Sequence, residues 1–384
     1  MKKNFLKSPL PCNASYRSAL SLTSPRPSPL PLGAEREKQT QPLESVGARP
    51  ANPTAHFRVR RNAIPPLRSR RGRGDGRGEV RAGLAPALVV VLLTLVSTAQ
   101  AKLNVVATTA DLGSIAREIG GDKIELTTLA KPTEDPHFVD AKPSFIVKLN
   151  HADVVVEGGA ELEIGWLPAL LDQARNEKIA PGAPGHVACA KGVPMLDVPT
   201  TLDRSRGDIH AAGNPHYIIS PSNAKIVAQN ITEALCQNDS KSADAYRANL
   251  KKFTDAIDAK LVEWRKTLAP FAGQGIVAYH DSWPYFAREF GLKIDLYLEP
   301  KPGVPPTPTH LAEVITKMRA DKVHVIIVDP YLNRRTAETV ATKTGATVVD
   351  VTQFPGGIKG TEGGYITLLD YLVNSIAKAL AETK

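Results

Sequence analysis

Short β-branched runs alternate with helical stripes over residues 103–156. The run Leu103–Thr109 predicts a first strand, and the apolar face of the next stretch, closed by Gly120-Gly121, predicts a helix. Two more strands are predicted over 124–129 and 153–156, with a helix over 143–149 between them. Strands that alternate with helices in this way are typical of a parallel sheet covered on both faces.

One apolar stripe is much longer than the others. From Tyr246 to Leu268 the apolar positions are spaced by three or four residues, and Pro270 closes the pattern. This predicts a helix from about Lys241 to Leu268, roughly 40 Å long at 1.5 Å per residue. A small lobe does not require a helix of that length, so we interpret it as a strut between two lobes.

The strand and helix alternation resumes after the strut. Strands are predicted over 276–279 and 323–328, and a last helix over Tyr365–Leu380. The predicted fold class is therefore α/β, with two lobes, each a parallel sheet flanked by helices, joined by one long helix. The expected boundaries are an N-terminal lobe over 102–237, a linking helix over 238–270 and a C-terminal lobe over 271–384.

An export signal is predicted over residues 82–101. This stretch has no charged residue, contains the apolar run Leu88–Val96 and ends in Ala99-Gln100-Ala101, the small-x-small pattern of a signal-peptidase site. We expect cleavage after Ala101 and a periplasmic location. An uncleaved anchor is the alternative, although the apolar run is short for a membrane span. The cleavage site has no cysteine that would carry a lipid anchor.

Residues 1–81 are rich in Pro, Ser and Arg and show no periodicity. We interpret them as a basic disordered leader. We favour the hypothesis that the start codon is assigned too far upstream over that of a functional basic tail, because a nucleic-acid-binding arm has no use before an export signal.

The net charge of +9 comes from the leader and not from the globular part. Residues 1–101 contain 17 Lys and Arg against 5 Asp and Glu, which leaves 31 against 34 for the rest. A basic protein of this kind would suggest a nucleic-acid partner. The remainder is slightly acidic, so we expect no nucleic-acid partner.

Three histidines stand where a parallel α/β lobe builds its sites, just past the carboxyl ends of its strands. His137 follows the second strand, His216 lies in the turn Gly213–Tyr217, and His280 ends the strand over 276–279. Imidazole nitrogens that converge on one point suit a borderline-soft divalent ion such as Zn²⁺. These residues are our predicted metal ligands.

An oxygen ligand is expected at the fourth position. Asp329 ends the buried strand over 323–328 and is the best-placed carboxylate. Glu134, Asp135 and Asp281, which neighbour the histidines, and a water molecule are also candidates for this position.

The remaining histidines and the cysteines are weaker candidates. His210 lies near His216 in a polar loop and is a candidate for transient metal recruitment. Structural roles are expected for four other histidines: His151, His186, His310 and His324. Of these, His186 is expected in a glycine-rich loop and His324 inside a strand. Sequence alone leaves open whether Cys189 and Cys236 form a disulfide in an oxidising compartment.

Several sequence motifs of this chain resemble those of a known protein family. Residues Lys102–Lys384 are similar to the metal-binding substrate-binding proteins of bacterial ABC importers, the zinc and manganese cluster (cluster A-I). The stretches that carry the resemblance occur in the family's order: Val105–Thr109, Asp135–His137, Ala152–Val156 with Gly158, Gly159 and Glu161, Gly213–Tyr217, Tyr279–Phe286 and Asp329–Tyr331.

The resemblance implies two α/β lobes joined by a single long helix, with one divalent ion in the cleft between them. It places His137, His216 and His280 at the family's first three ligand positions. A histidine at the third position resembles the zinc-type members, whereas manganese-type members usually have a carboxylate there. This agrees with the preference of imidazole for zinc and of carboxylate for manganese.

The sequence departs from the family pattern at the fourth ligand. Many members have an aspartate just after a late strand, but residues 348–355 here have no acid immediately past that strand. Asp329, another acid or water would then complete the shell. The long histidine-rich loop of some zinc members is also missing.

These features predict a periplasmic solute-binding protein that captures a divalent ion, Zn²⁺ with Mn²⁺ as the alternative cargo, and delivers it to an ABC permease in the inner membrane. We expect a monomer that catalyses no reaction and closes about a helix that limits lobe motion. A manganese- or iron-specific member of the family is the nearest alternative.

Two further functional classes fit the chain less well. A secreted zinc hydrolase would need a general base, for which Glu134 is available, but the chain has no His-Glu-x-x-His unit. A surface adhesin of the same fold would have to be retained at the cell surface, and no anchor supports that.

Overall fold

The computed structural model describes residues 101–201, 207 and 210–383. The predicted leader over 1–81, and the predicted export signal up to Gln100, lie outside the described residues. No helix in the described part of the chain is both long enough and apolar enough to cross a bilayer.

Two four-stranded parallel sheets form the framework. The strands of the first sheet, which pair in the order β2-β1-β3-β4, are β1 (Leu103–Ala107), β2 (Ile124–Thr128), β3 (Val154–Glu157) and β4 (His186–Ala188). Those of the second sheet, in the order β6-β5-β7-β8, are β5 (Gly275–Ala278), β6 (Lys293–Tyr297), β7 (Val325–Val328) and β8 (Thr347–Asp350). We refer to the sheets with their helices as the N-terminal and C-terminal lobes.

Helices connect the strands and cover the sheets. Those before the second sheet are α1 (Ala110–Gly120), α2 (Pro143–Asn150), α3 (Leu167–Ala174), α4 (Pro221–Asn238) and α5 (Ala243–Leu268). Those that follow are α6 (Pro284–Phe290), α7 (Pro308–Ala320), α8 (Arg334–Thr344) and α9 (Tyr365–Glu382).

Both faces of each sheet are buried, as the continuous apolar runs predict. In the first sheet, Val105 and Val154 face a large core cluster that extends through both lobes, while Val106 and Val155 face a second cluster under α2 and α3. The period of two along each strand therefore separates two cores.

The long helix α5 contacts both lobes. It has 26 residues and is about 39 Å long at 1.5 Å per residue. Near its start Asn249 Nδ2 donates to Ile119 O of α1 at 2.9 Å, and near its end Trp264 Nε1 donates to Asp370 Oδ1 of α9 at 2.8 Å. The predicted stripe is its buried face, since Tyr246, Phe253, Ile257, Leu261, Trp264 and Leu268 are all buried.

The structure differs from the predicted positions of two histidines. His186 begins the short strand β4 rather than lying in a loop, and β7 begins at Val325, so His324 precedes it. The three residues of β4 give too little periodicity for a strand to be recognised in the sequence. Cys189 is buried, Cys236 is half-buried, and both thiols are free.

The buried face of α5 predicts a clear contrast between two substitutions on this helix. Ile257 is fully buried in the core shared by both lobes, whereas Val262 is 71% exposed. We expect Ile257→Ala to lower the free energy of unfolding by about 2–5 kcal/mol, because it removes buried methyl groups and leaves a cavity. The matched control Val262→Ala should change it by less than about 0.5 kcal/mol. Urea unfolding followed by circular dichroism measures both, and equal effects would contradict the assignment of the buried face.

Candidate metal centre

The three histidines predicted from strand ends come together in one place. His137 lies in the loop after β2, His216 in the segment between β4 and α4, and His280 two residues beyond the end of β5. Among the described residues they are the set of His, Cys, Asp or Glu side chains whose ligand atoms all lie within 4.8 Å of one another.

The ring arrangement places the three imidazoles edge to face around a common point. The ring centroids of His137 and His216 are 5.1 Å apart, those of His216 and His280 5.4 Å, and those of His137 and His280 5.7 Å. The interplanar angles of 61°, 86° and 71° show that the rings meet edge to face rather than stacked, and one nitrogen of each ring lies within 4.8 Å of a nitrogen of the other two.

Two of the rings are held by carboxylates. His137 Nδ1 lies 3.0 Å from Asp135 Oδ1, which also accepts the His137 backbone N–H at 2.9 Å. His280 Nδ1 lies 2.7 Å from Glu299 Oε2. A carboxylate accepts the Nδ1 proton, so in each ring Nε2 is the nitrogen left for a ligand.

These contacts also change the pKa values of the groups. Although burial opposes it, the hydrogen bonds from His137 hold the pKa of Asp135 below its usual range. Burial disfavours the imidazolium form of His280, but the carboxylate of Glu299 outweighs this and raises its pKa.

His216 is the most buried of the three rings, with 6% of its surface exposed. Burial lowers its pKa well below the usual value, and the neighbouring His137, His280 and His210 lower it further. The side chain of Gln353, three residues past β8, opposes this shift, and its Nε2 donates to Tyr331 Oη at 3.0 Å. His216 is therefore a neutral imidazole at neutral pH, the form that binds a metal.

Asp329 follows β7 directly but is not a member of the three-histidine set. It is 2% exposed, and its Oδ2 accepts the indole N–H of Trp283 at 3.3 Å. Its Oδ1 is buried without a hydrogen-bond partner among the described residues. Burial raises the pKa of this carboxyl to about 7. Ligation by Asp329 stays a prediction.

A cavity of about 400 Å³ opens in front of His216 and His280. Its wall also includes Asp197, His210 and Asp281. The His210 ring centroid is 5.2 Å from that of His137, so this residue lies beside the three-histidine set. Burial raises the pKa of Asp281 to about 6.

The two acids that precede His137 in the chain have partners in the N-terminal lobe. Glu134 Oε2 accepts the backbone N–H of Lys131 at 2.9 Å, and Asp135 binds His137 as described. His186, for which we expected a structural role, pairs with Glu157 at 3.0 Å.

Sequence reasoning missed Glu299 and Gln353. Glu299 is 19 residues from His280 in the chain, and the pairing of β5 with β6 brings the two together. Both residues follow the ends of strands, as the three histidines do. Their position near the histidines could be predicted only if the order of the strands in the sheet were known.

Comparisons with known proteins agree with this architecture. The family model described as ZnuA, zinc-uptake complex component A periplasmic, matches residues 105–379. The iron-binding protein YfeA of Yersinia pestis is 29% identical over 290 residues, which cover 73% of this chain and 87% of YfeA. The manganese ABC transporter substrate-binding lipoprotein PsaA of Streptococcus pneumoniae is 27% identical over 295 residues, covering 74% and 92%.

Solved structures share the fold. A crystal structure of ZnuA has a TM-score of 0.62 at 23% identity and covers 73% of this chain and 100% of that one. The Mn-bound periplasmic metal binding protein from candidatus liberibacter asiaticus has a TM-score of 0.61 with the same identity and coverage. The predicted fold class, two α/β lobes with parallel sheets, is confirmed.

The lowered pKa of His216 predicts how the metal-free protein responds to acid. Below about pH 6.5 the unfolded chain binds a proton at this residue and the folded chain does not, so acidification favours unfolding. We expect the free energy of unfolding to fall less steeply from pH 7 to pH 5 in His216→Gln, by at most about 1.4 kcal/mol per pH unit. Chemical unfolding at a series of pH values measures the slopes. The exposed His151→Gln is the control, and equal slopes for His216→Gln and wild type would refute the burial argument.

Proposed function

We propose, since this chain belongs to the ZnuA family of periplasmic metal-binding components of ABC importers, that it captures a zinc ion with His137, His216 and His280 and delivers it to a membrane permease. The family and its curated relatives are substrate-binding proteins and not enzymes. The prediction that no reaction is catalysed is therefore confirmed, and a secreted hydrolase is excluded.

The observation that carries the proposal is the convergence of three imidazoles from both lobes. Their ligand atoms lie within 4.8 Å of one another. Tetrahedral zinc with Zn–N distances of roughly 2.0–2.1 Å places its nitrogens about 3.4 Å apart. Small side-chain movements of about 1 Å are therefore enough to bring the rings to coordination distance.

We propose an oxygen for the fourth position, from Asp329 or from a water held by it. The buried Oδ1 of Asp329 has no hydrogen-bond partner among the described residues, and such an oxygen is a good acceptor for a cation or for a metal-bound water. The positive charge of His280 lowers the pKa of this carboxyl, although burial raises it overall.

The donor set supports zinc as the cargo. Imidazole suits zinc, whereas carboxylates, carbonyls and water suit manganese. The names of YfeA and PsaA assign iron and manganese to those proteins, so a manganese- or iron-binding member is the second candidate. A histidine at the third proposed ligand position, His280, supports zinc over this alternative.

Delivery requires the ion to leave, and the contacts between the lobes limit how this happens. Tyr285 of α6 accepts the Leu196 backbone N–H and donates to Asn214 O, both at 2.8 Å. Asn214 Nδ2 in turn donates to Asp281 O at 2.9 Å. A wide opening of the lobes would break these bonds, so we propose release through local movement of the ligand loops.

The cellular setting follows the family. We propose that the chain is exported by the segment 82–101 with cleavage after Ala101, acts in the periplasm as a monomer, and passes its ion to an inner-membrane permease.

Replacement of each histidine tests the site. We expect His137→Ala, His216→Ala and His280→Ala each to weaken zinc binding by more than about 100-fold, because loss of a coordinating nitrogen exceeds the 10–100-fold cost of disturbing an outer-shell partner. Isothermal titration calorimetry of the chelator-treated protein, residues 102–384, measures the affinities. His151→Ala serves as the control, because this exposed histidine does not belong to the three-histidine set. Wild-type affinity in any of the three variants would remove that residue from the site.

The choice of metal is tested by the same titration with a second ion. We expect wild-type protein to bind Zn²⁺ more tightly than Mn²⁺, because three of its proposed ligands are imidazoles. Tighter binding of Mn²⁺ would retire the zinc assignment and favour the manganese alternative without affecting the fold.

A further inference from the structure

The carboxylate of Glu299 is placed against His280 by the strand ladder of the second sheet. Ala278 of β5 is in register with Tyr297 of β6. Past the strands the ladder continues, since Leu298 N donates to Ala278 O and Glu299 N donates to Tyr279 O, both at 3.0 Å. Glu299 and His280 are therefore held side by side by backbone hydrogen bonds.

Glu299 is also fixed from the opposite side. Its Oε2, which lies 2.7 Å from His280 Nδ1, accepts the backbone N–H of Gly303 at 3.1 Å. The turn that carries Gly303 is closed by an antiparallel bridge between Lys301 and Val304. The side chains of Glu299 and His280 are only 10% and 13% exposed, so water competes little for this contact.

This contact is not local in sequence, unlike the one at His137. Asp135 belongs to the same turn as the ring that it holds and also accepts that residue's backbone N–H. Glu299 comes from the loop after another strand, and the contact of its carboxylate with the imidazole selects the ring's tautomer. A carboxylate that accepts Nδ1–H leaves Nε2 unprotonated and makes it a stronger donor.

We propose that Glu299 is a positioning residue that keeps Nε2 of His280 directed at the other two histidines and raises the affinity for zinc more than that for manganese. This inference rests on the proposed function. The selectivity follows because Zn²⁺ binds nitrogen donors more strongly than Mn²⁺ does, so a better imidazole donor raises the zinc affinity by the larger factor.

Two substitutions separate the orientation of the ring from the charge next to it. Glu299→Gln keeps a carbonyl oxygen that accepts Nδ1–H but removes the negative charge, and Glu299→Ala removes both. The control is Glu313→Gln, which removes an exposed carboxylate from α7 in the same lobe. Calorimetric titration with Zn²⁺ and with Mn²⁺ is combined with ¹⁵N NMR of the histidine rings in the metal-free protein, which reports the tautomer directly.

We expect zinc affinity to fall by about 10-fold in Glu299→Gln and by up to about 100-fold in Glu299→Ala, the range found for outer-shell partners. Manganese affinity should fall less in both variants, and Glu313→Gln should match wild type. In the NMR spectra His280 should keep the Nδ1–H tautomer in Glu299→Gln and lose it in Glu299→Ala. Glu299→Gln preserves the shape of the side chain, so it decides the outcome if Glu299→Ala does not fold.

Different results would overturn the role of Glu299 and the proposed function. Wild-type zinc affinity in both Glu299 variants, together with lost binding in His280→Ala, overturns the role of Glu299 and leaves the metal site intact. Equal losses for zinc and manganese overturn the selectivity. If wild-type protein binds neither ion, the proposed function fails, and the inference fails with it.

Discussion

The strands of both sheets in the described part of the chain pair in parallel. In a parallel sheet the carboxyl ends of all strands lie at one edge, and the loops that leave this edge are the ones that build sites. His280, Asp329 and Gln353 all leave the same edge of the second sheet, and His137 leaves the corresponding edge of the first. An antiparallel neighbour of β5 would have carried Glu299 to the opposite end of the lobe, so the site depends on strand direction.

The three-histidine set also requires that the two lobes keep a fixed position relative to each other. Hydroxyl groups of the C-terminal half reach the backbone on both sides of His216: Tyr285 binds Asn214 O, and Tyr365 binds Ile218 O at 2.6 Å. Ser220 adds a third contact, donating to Glu289 Oε2 at 2.6 Å. The segment that carries the proposed ligand His216 is thus held by the C-terminal lobe. The geometry of the three histidines is therefore a property of the lobe interface rather than of either lobe alone.

Most of the framework could be predicted from sequence, because it follows from periodicity. The helix ending at Leu268 was expected from its apolar stripe, and the three histidines were singled out because they follow predicted strands. β4 could not be predicted, since three residues carry no period. Glu299 could not be paired with His280, because that contact depends on the order and register of two strands. Whether Cys189 and Cys236 form a disulfide could not be predicted, because the sequence does not give their distance in space. In the structure both thiols are free.

The arrangement of charge suits the proposed imidazole-rich site to a dication. His216 is buried and neutral, since its lowered pKa excludes the proton. Asp135 and Glu299 each bring a negative charge into direct contact with a histidine, through its Nδ1. In the proposed site, each carboxylate lies one hydrogen bond behind a histidine ring. The two negative charges can therefore balance the two positive charges of the ion, while the atoms that bind the ion are nitrogens. If those carboxylates bound the ion directly, the same charge would be present, but the oxygen-rich donor set would favour manganese. In the proposed site, carboxylates behind the rings would therefore neutralise the ion's charge without determining the choice of metal.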